Sequence, residues 1–234
     1  MANLEREPYY GDKDKMYVAT DCIVFGFDSG DLKLLVFKRI VAPNEGEWSL
    51  IGSFVNVNED VASAAERVLI ETTGLENIFF EQTKTYGQKD RDPGGRCISI
   101  GQYALIRIDD SDKDLPEKYN AKWYKLTELP SLCLDHNIMV ADALKVLRQK
   151  ARYQPIGFEL LPKKFTLPQL QQLYEAIYQR KLDARNFRKK VLSLKILKKL
   201  EEKDKTTSRK GAFLYEFESA NYKRLVASGF NFEI

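Results

Sequence analysis

The chain has 234 residues, of which 44% are hydrophobic and 30% are charged. This balance is typical of a folded globular protein and excludes a disordered chain. No apolar run approaches the roughly 20 residues that a membrane-spanning helix needs, so no membrane partner is expected.

The N-terminal residues and the cysteines of the chain predict its cellular compartment. The N-terminal residues lack the basic segment followed by an apolar segment that marks a signal peptide. Cys22, Cys97 and Cys133 fit neither a disulfide framework nor a CxxC metal site. We therefore expect a cytoplasmic protein.

The net charge of +3 conceals an asymmetry between the two parts of the chain. Residues 151–234 contain 18 Lys or Arg against 9 Asp or Glu, whereas residues 1–150 contain 19 against 25. A basic segment of this kind is weak evidence for nucleic-acid contact, because many basic surfaces are simply solvated.

In chain order, the first predicted elements are strands. Residues 19–27 form an apolar, β-branched run, residues 28–31 a turn, and residues 32–39 the return strand. Residues 47–51 are a third short strand that leads into Gly52. Further strands are expected at 78–86, 97–108 and 121–126, with a polar loop at 87–96 and a helix at 137–152.

A helix is predicted to begin near residues 58–60, where Asn58 can serve as its cap and the acidic side chains suit the positive helix end. Apolar or small side chains recur at spacings of three and four, and Gly74 ends the helix. The residues of this stripe are Val61, Ala65, Val68, Leu69 and Thr72.

The segment from Gly52 to Leu75 resembles the Nudix box, a loop-helix motif that runs from a glycine over six residues to a glutamate and then through Arg-Glu-aliphatic-any-Glu-Glu-any-Gly-aliphatic. Here Ser53 stands at the first position, Glu59 at the loop glutamate, and Arg67 opens the helical part. The resemblance implies an α/β fold, specifically the Nudix α/β/α sandwich.

Two of the three helix glutamates of that box are replaced in this chain, by Val68 and Thr72, and Glu71 remains. Helical spacing predicts that these three positions share one face. Valine cannot ligate Mg²⁺ or Mn²⁺, which need oxygen donors. We therefore expect the loop and the helix to persist without hydrolysis, and we expect no metal, no cofactor and no catalytic residues.

A Nudix pocket without its metal is suited to bind an effector without consuming it. Arginines bind phosphates or sugar hydroxyls, and aromatic rings stack on bases or sugar faces. Each candidate also has a structural alternative, such as a core position for the tryptophan or a helix start for the histidine. The candidate effector-binding residues are Arg39, Tyr86, Asp92, Arg96, Trp123 and His136.

After residue 157 the pattern becomes helical. Thr166, Pro168 and Gln169 form a capping box with proline in the first turn. The apolar face of the helix that follows consists of Leu170, Leu173, Tyr174 and Ile177. A short connection leads to Asp183, a natural cap for a second helix that extends to about Leu194.

That second helix has the pattern of a DNA-reading helix. Phe187, Val191 and Leu194 form its buried stripe, and Arg185 and Lys189 point away from it. A hairpin is predicted to follow, with strands at 195–200 and 212–217 and a loop at 201–211. This order of elements is that of a winged helix-turn-helix. The candidate DNA-binding residues are Arg185, Asn186, Arg188, Lys189, Lys205, Arg209 and Lys210. The alternative is a basic accessory subdomain.

The chain as a whole is similar to the Nudix-related transcriptional regulators, the family that includes repressors of NAD metabolism. The stretches that carry the resemblance are the altered box at 52–75, residues 91–96, and residues 158–188. The resemblance implies an effector-binding domain at 1–153 and a DNA-binding domain at 154–234. It also implies a homodimer, a palindromic duplex operator and a small-molecule effector.

The sequence therefore predicts a transcriptional regulator, expected to be a repressor, whose Nudix domain is inactive. The family responds to ADP-ribose-like nucleotides or is associated with sugar catabolism. The weakly acidic helix face favours a neutral sugar such as a pentose. The alternatives are an active Nudix pyrophosphatase with an accessory basic domain and a scaffold that binds only protein partners.

Overall fold

The computed structural model describes residue 11 and residues 13–108, 119–206 and 210–227. Its strands are β1 (Tyr17–Asp28), β2 (Asp31–Lys38), β3 (Trp48–Ser49), β4 (Ile51–Phe54), β5 (Glu81–Tyr86), β6 (Cys97–Arg107), β7 (Ala121–Lys125), β8 (Phe165–Thr166), β9 (Leu197–Asp204) and β10 (Ala212–Phe217). Its α-helices are α1 (Val61–Thr73), α2 (His136–Tyr153), α3 (Leu167–Tyr178), α4 (Ala184–Ser193) and α5 (Ser219–Ala227).

The N-terminal part is a mixed seven-stranded sheet between two helices. Its main order is β3-β2-β1-β6-β5, β4 pairs with β1, and β7 pairs with β2. Strands β1 and β6 are parallel. Alternate residues of β1 face opposite sides: Cys22 and Val24 pack with α1, whereas Ile23 and Phe25 belong to the cluster that contains α2. This is the α/β/α sandwich that the sequence predicts.

The start of α1 lies at the end of the predicted range 58–60, but its capping residue differs from the predicted one. Asp60, not Asn58, caps the helix, and its carboxylate accepts a hydrogen bond from the Ser63 amide. Gly74 ends the helix at a φ of 73°, in the left-handed region that a glycine adopts without strain.

The C-terminal part confirms the predicted helix pair. Thr166 and Gln169 form the capping box of α3, and Asp183 caps α4 by accepting a hydrogen bond from the Asn186 amide. Strands β8, β10 and β9 form a three-stranded sheet in that order. Strand β9 extends to Asp204 and therefore includes residues that were predicted to be loop. Helix α5 was not predicted.

The two parts share one hydrophobic cluster. It joins Leu34 of β2 and Met139 and Leu147 of α2 to Leu173 and Ile177 of α3, all 0–1% exposed. Helix α2 ends at Tyr153, where the predicted domains meet. The boundary between residues 153 and 154 stays a prediction, because the core continues across it. Among the described residues, no helix is long and apolar enough to cross a membrane.

Candidate functional site

The remaining glutamates of the Nudix box are held by an arginine of the same motif. Arg67 donates from Nε and Nη2 to the two carboxylate oxygens of Glu59, at 2.9 and 2.6 Å. Its Nη1 donates to Glu71 at 3.1 Å, and the Asn56 amide donates to Glu59 at 2.8 Å. These hydrogen bonds, led by that from Arg67, lower the pKa of Glu59 to about 2.

The positions predicted to share one helix face are not equally exposed. Val68 is 2% exposed and packs in the core with Cys22 and Val24. The Glu71 side chain is 61% exposed. The face that would present three carboxylates therefore presents one, which Arg67 already binds.

A divalent cation at the box needs several free oxygen ligands. Glu59 accepts three hydrogen bonds and Glu71 accepts one, and the Val68 side chain has no oxygen that could bind a cation. Across the described ranges, no group of three or more His, Cys, Asp or Glu side chains is placed to hold a metal ion. The residues present do not fit the metal cluster that the Nudix box implies.

On the opposite face of the sheet lies a buried polar network around Asp21. Ser99 donates to Asp21 Oδ2 at 2.5 Å, and Arg91 Nη2 lies 3.5 Å from the same oxygen. Arg91 also donates two hydrogen bonds to Asp135, at 3.0 and 2.7 Å. Only 2% of the Arg91 side chain is exposed, so this ion pair is almost fully desolvated.

His136 completes the network at the first residue of α2. The Leu50 amide donates to His136 Nδ1 at 3.1 Å, so Nδ1 acts as an acceptor. The proton is therefore on Nε2, which lies 3.5 Å from Asp21 Oδ1. Burial lowers the pKa of His136, which keeps the ring neutral despite the nearby carboxylates.

An open cleft of about 560 Å³ adjoins this network. It is lined by the end of β5 and the loop after it (residues 84–88, 90 and 91) and by Asp135 and Ile138 at the start of α2. Its charged residues are two cations, Lys84 and Arg91, and two anions, Asp90 and Asp135. The cleft therefore offers hydrogen-bonding groups with balanced charge.

Of the six predicted effector residues, Tyr86 lines the cleft, and Asp92 and Arg96 lie in the loop 87–96 beside it. The Tyr86 hydroxyl donates to Asp142 at 3.2 Å. Burial raises the Tyr86 pKa. Asp92 accepts from the Gly94 amide at 2.8 Å. Arg96 donates to the Gln88 carbonyl at 3.4 Å.

Two further predicted residues, Arg39 and His136, contact the protein itself and do not line the cleft. Arg39 donates to the carbonyl of Pro43 at 2.9 Å and so closes the loop after β2. His136 is 2% exposed and directly follows Asp135, which lines the cleft. Their part in ligand binding stays a prediction, as it does for Tyr86, Asp92 and Arg96.

Trp123 lies apart from the other five. It packs with the cluster on the α1 side of the sheet, whereas Tyr86 belongs to the cluster on the α2 side. Its indole Nε1 is buried without a hydrogen-bond partner among the described residues. The six predicted residues therefore do not form one constellation.

Sequence reasoning missed Asp21, Arg91, Ser99 and Asp135. One signal was available, since Asp21 is an acid inside an apolar, β-branched run, where a carboxylate needs a partner. Arg91 was within a stretch that the resemblance singled out, but nothing in the sequence paired it with Asp135, 44 positions later.

The candidate DNA-reading face is the exposed side of α4. Phe187 and Val191 are buried, as the spacing predicts. The opposite side exposes Arg185, Asn186, Arg188 and Lys189. These side chains carry guanidinium, amide and ammonium donors of the kind that contact base edges and phosphates in a major groove.

The predicted wing is the hairpin of β9 and β10, which follows α4 in the chain. Lys205 and Lys210 are exposed at its tip, and Arg209 lies outside the described residues. Between the strands, Lys199 and Lys203 place their ammonium groups 3.7 and 4.4 Å from the centroid of the Phe213 ring.

Comparison with known proteins agrees with this architecture. A family model described as the NUDIX domain matches residues 15–146, more than half of the chain. The chain belongs to the Nudix family. A second model, described as the NrtR DNA-binding winged helix domain, matches residues 157–217. The chain is thus a Nudix-related regulator by domain composition, as the resemblance predicted.

Three relatives illustrate the range of the family. The chain is 29% identical over 209 residues to the ADPR responsive transcriptional repressor NtrR of Acinetobacter baylyi, covering 88% of this chain and 83% of that protein. It is 32% identical over 133 residues to the ADP-ribose pyrophosphatase of Methanocaldococcus jannaschii, covering 57% and 78%. The crystal structure of Shewanella oneidensis NrtR complexed with a 27mer DNA has a TM-score of 0.73 at 26% identity, covering 88% and 95%.

Proposed function

We propose that this chain is an effector-responsive transcriptional repressor. The observation that carries the proposal is α4, which exposes Arg185, Asn186, Arg188 and Lys189 opposite a buried Phe187. Two such helices in a homodimer would read the two half-sites of a palindromic duplex operator. The basic tip of the wing would contact the backbone.

The effector is proposed to bind in the cleft beside Tyr86, Arg91 and Asp135. ADP-ribose is the first candidate, because the Acinetobacter relative is named for its response to it. The comparisons give no support to the sugar that the sequence favoured. A neutral sugar remains the second candidate on one observation, the balanced charge of the cleft.

Hydrolysis is not part of the proposed function. The hydrogen bonds from Arg67 to Glu59 and Glu71, together with Val68 in the core, support binding without turnover. The competing activity is that of an ADP-ribose pyrophosphatase, favoured by the similarity to the Methanocaldococcus enzyme. Release of AMP from ADP-ribose with Mg²⁺, abolished in Glu71→Gln, would replace our proposal.

Two measurements test the proposal. A thermal-shift screen with ADP-ribose, pentoses and hexoses should identify a ligand, since binding at 100 times Kd stabilises the folded state by about 2.7 kcal/mol. Operator duplexes selected from a random library should bind tightly and in a salt-sensitive manner. Arg185→Ala should weaken that binding by about 1–3 kcal/mol if the side chain reads a base.

The control is Lys145→Ala, which removes an exposed cation from α2 and should leave operator affinity unchanged. Failure to select any preferred duplex would contradict the role in transcription. Unchanged affinity in Arg185→Ala would remove that residue from the reading face but leave the rest of the proposal standing.

A further inference from the structure

Helix α2 contacts the candidate effector cleft at its N-terminal end. Asp135, its capping residue, and Ile138 line the cleft. Asp135 accepts two hydrogen bonds from Arg91, which belongs to the loop over the cleft. A molecule that binds in the cleft therefore contacts both the start of α2, through Asp135, and the loop, through Arg91.

The C-terminal half of α2 contacts the helix-turn-helix. Arg148 Nε donates to the carbonyl oxygen of Ile177 at 3.1 Å, in the last turn of α3. The last carbonyls of a helix lack intrahelical partners and carry partial negative charge, so a guanidinium is a favourable donor there.

The turn between α3 and α4 begins at the last turn of α3, next to the Arg148 contact. Glu175 accepts hydrogen bonds from the Leu182 amide at 3.0 Å and from Lys181 Nζ at 2.9 Å. The Arg180 amide donates to the Glu175 carbonyl at 3.3 Å. The position of the α3 end, which Arg148 holds, therefore sets the position of the turn that leads into α4.

Helix α2 is suited to join these two ends. Its 18 residues include no glycine or proline, and at 1.5 Å per residue it is about 27 Å long. Its buried residues Met139 and Leu147 lie in one cluster with Leu173 and Ile177 of α3. Because packed interiors shift as units, a displacement of α2 carries α3 with it.

We infer that α2 is the positioning element that couples the effector cleft to the DNA-reading helix, with Asp135 and Arg148 as its two attachment points. A ligand that takes hydrogen bonds from the Arg91–Asp135 pair shifts the start of α2, and Arg148 passes the shift to the end of α3. The inference goes beyond the proposed function, because it can be tested without ligand or DNA.

The test is hydrogen–deuterium exchange of the full chain, followed by mass spectrometry. The variants are Asp135→Asn, Arg148→Met, the double variant, and Lys145→Met as a matched control on the same helix. The reporting segment is residues 179–183, where the amides of Arg180 and Leu182 are hydrogen-bonded and therefore protected.

Asp135→Asn should accelerate amide exchange in residues 87–96. It should also accelerate amide exchange in residues 179–183, by about fivefold or more, which is the low end of the couplings measured between distant sites. When Arg148→Met is already present, Asp135→Asn should accelerate amide exchange in residues 87–96 only. Arg148→Lys keeps a donor for the Ile177 carbonyl and should restore the protection lost in Arg148→Met.

Three results would overturn the inference. The first is an Asp135→Asn effect confined to residues 87–96. The second is an effect at 179–183 that persists in the double variant. The third is acceleration of all slow amides by one factor in Arg148→Met, which would assign the residue a role in global stability alone. Lys145→Met should match the unmodified chain throughout.

Discussion

Arg91 is a charge that the fold has almost fully removed from water. It is paired with Asp135 and lies near Asp21, so its loss would leave two largely buried carboxylates, 15% and 9% exposed, without their cation. Breaking a buried ion pair by removing one partner costs more than the pair itself contributes, because the remaining charge is uncompensated. The network is therefore a point at which one substitution has a large effect.

We expect Arg91→Met to lower the free energy of unfolding by about 3–5 kcal/mol. Urea denaturation followed by circular dichroism measures this change. Arg96→Met is the matched control, since Arg96 is exposed in the same loop and should change stability by less than about 0.5 kcal/mol. Equal effects of the two substitutions on the free energy of unfolding would show that burial of the Arg91–Asp135 pair does not set the cost of its removal.

At the scale of residues, the sequence predicts types of side chain better than partners. Phe187, Val191 and Tyr174 are buried, as their spacing predicts, because helical periodicity is local. The pairing of Arg91 with Asp135 depends on the packing of a loop against α2. Trp123 is predicted to stack on a ligand, and the structure packs it, partly buried, against the cluster on the other face of the sheet from Tyr86.

Among the elements, the turn between α3 and α4 depends on one carboxylate. Hydrogen bonds from the Leu182 amide, Gln171 and Lys181 lower the pKa of Glu175 from 4.5 to about 2. An acid with a lowered pKa in the folded state stabilises that state above its unfolded pKa. This stabilisation is fully present above pH 4.5 and is lost as the pH falls towards 2.

Glu175→Gln should therefore lower the free energy of unfolding at pH 7 by about 1 kcal/mol, or roughly 2–4 °C in Tm for a chain of this size. The difference from the unmodified chain should shrink as the pH falls from 4.5 to 2, as scanning calorimetry can measure. Glu201→Gln, at an exposed position of β9, is the control. A difference in Tm that stays constant with pH would exclude the charge of Glu175 as its cause.

The elements themselves were largely predictable where capping and periodicity agree. The capping box at Thr166 and the cap at Asp183 fix the starts of α3 and α4. Strand β9 is longer than predicted because its second half is polar and is identified only by its pairing with β10. Helix α5 follows that hairpin and was missed, because only Tyr222 and Leu225 of this short helix pack against the core among the described side chains.

For the whole molecule, the shared hydrophobic cluster has a consequence for folding. Leu170, Leu173 and Ile177 of α3 are fully buried, and part of their cover comes from α2 and β2. A fragment that begins after α2 would expose this surface. The two sequence-matched domains are therefore expected to unfold together.

We expect the full chain to show one calorimetric transition whose van't Hoff and calorimetric enthalpies agree. Residues 154–234 expressed alone should lack a cooperative transition and should bind the dye ANS, as chains with exposed apolar surface do. Residues 1–153 serve as the comparison. Two separate transitions in the full chain, with a stable 154–234 fragment, would contradict a common core.

The burial of Val68 limits which substitutions α1 tolerates. Thr72 lies on the partly exposed side of α1, so a glutamate is readily accommodated there. A glutamate at position 68 would instead place a carboxylate among Cys22, Val24 and Leu69, at a penalty of several kcal/mol. A glutamate at position 68, where the Nudix box has one, thus requires repacking of the sheet beneath the helix, and libraries intended to introduce a cation site should vary positions 22, 24 and 65 together with 68.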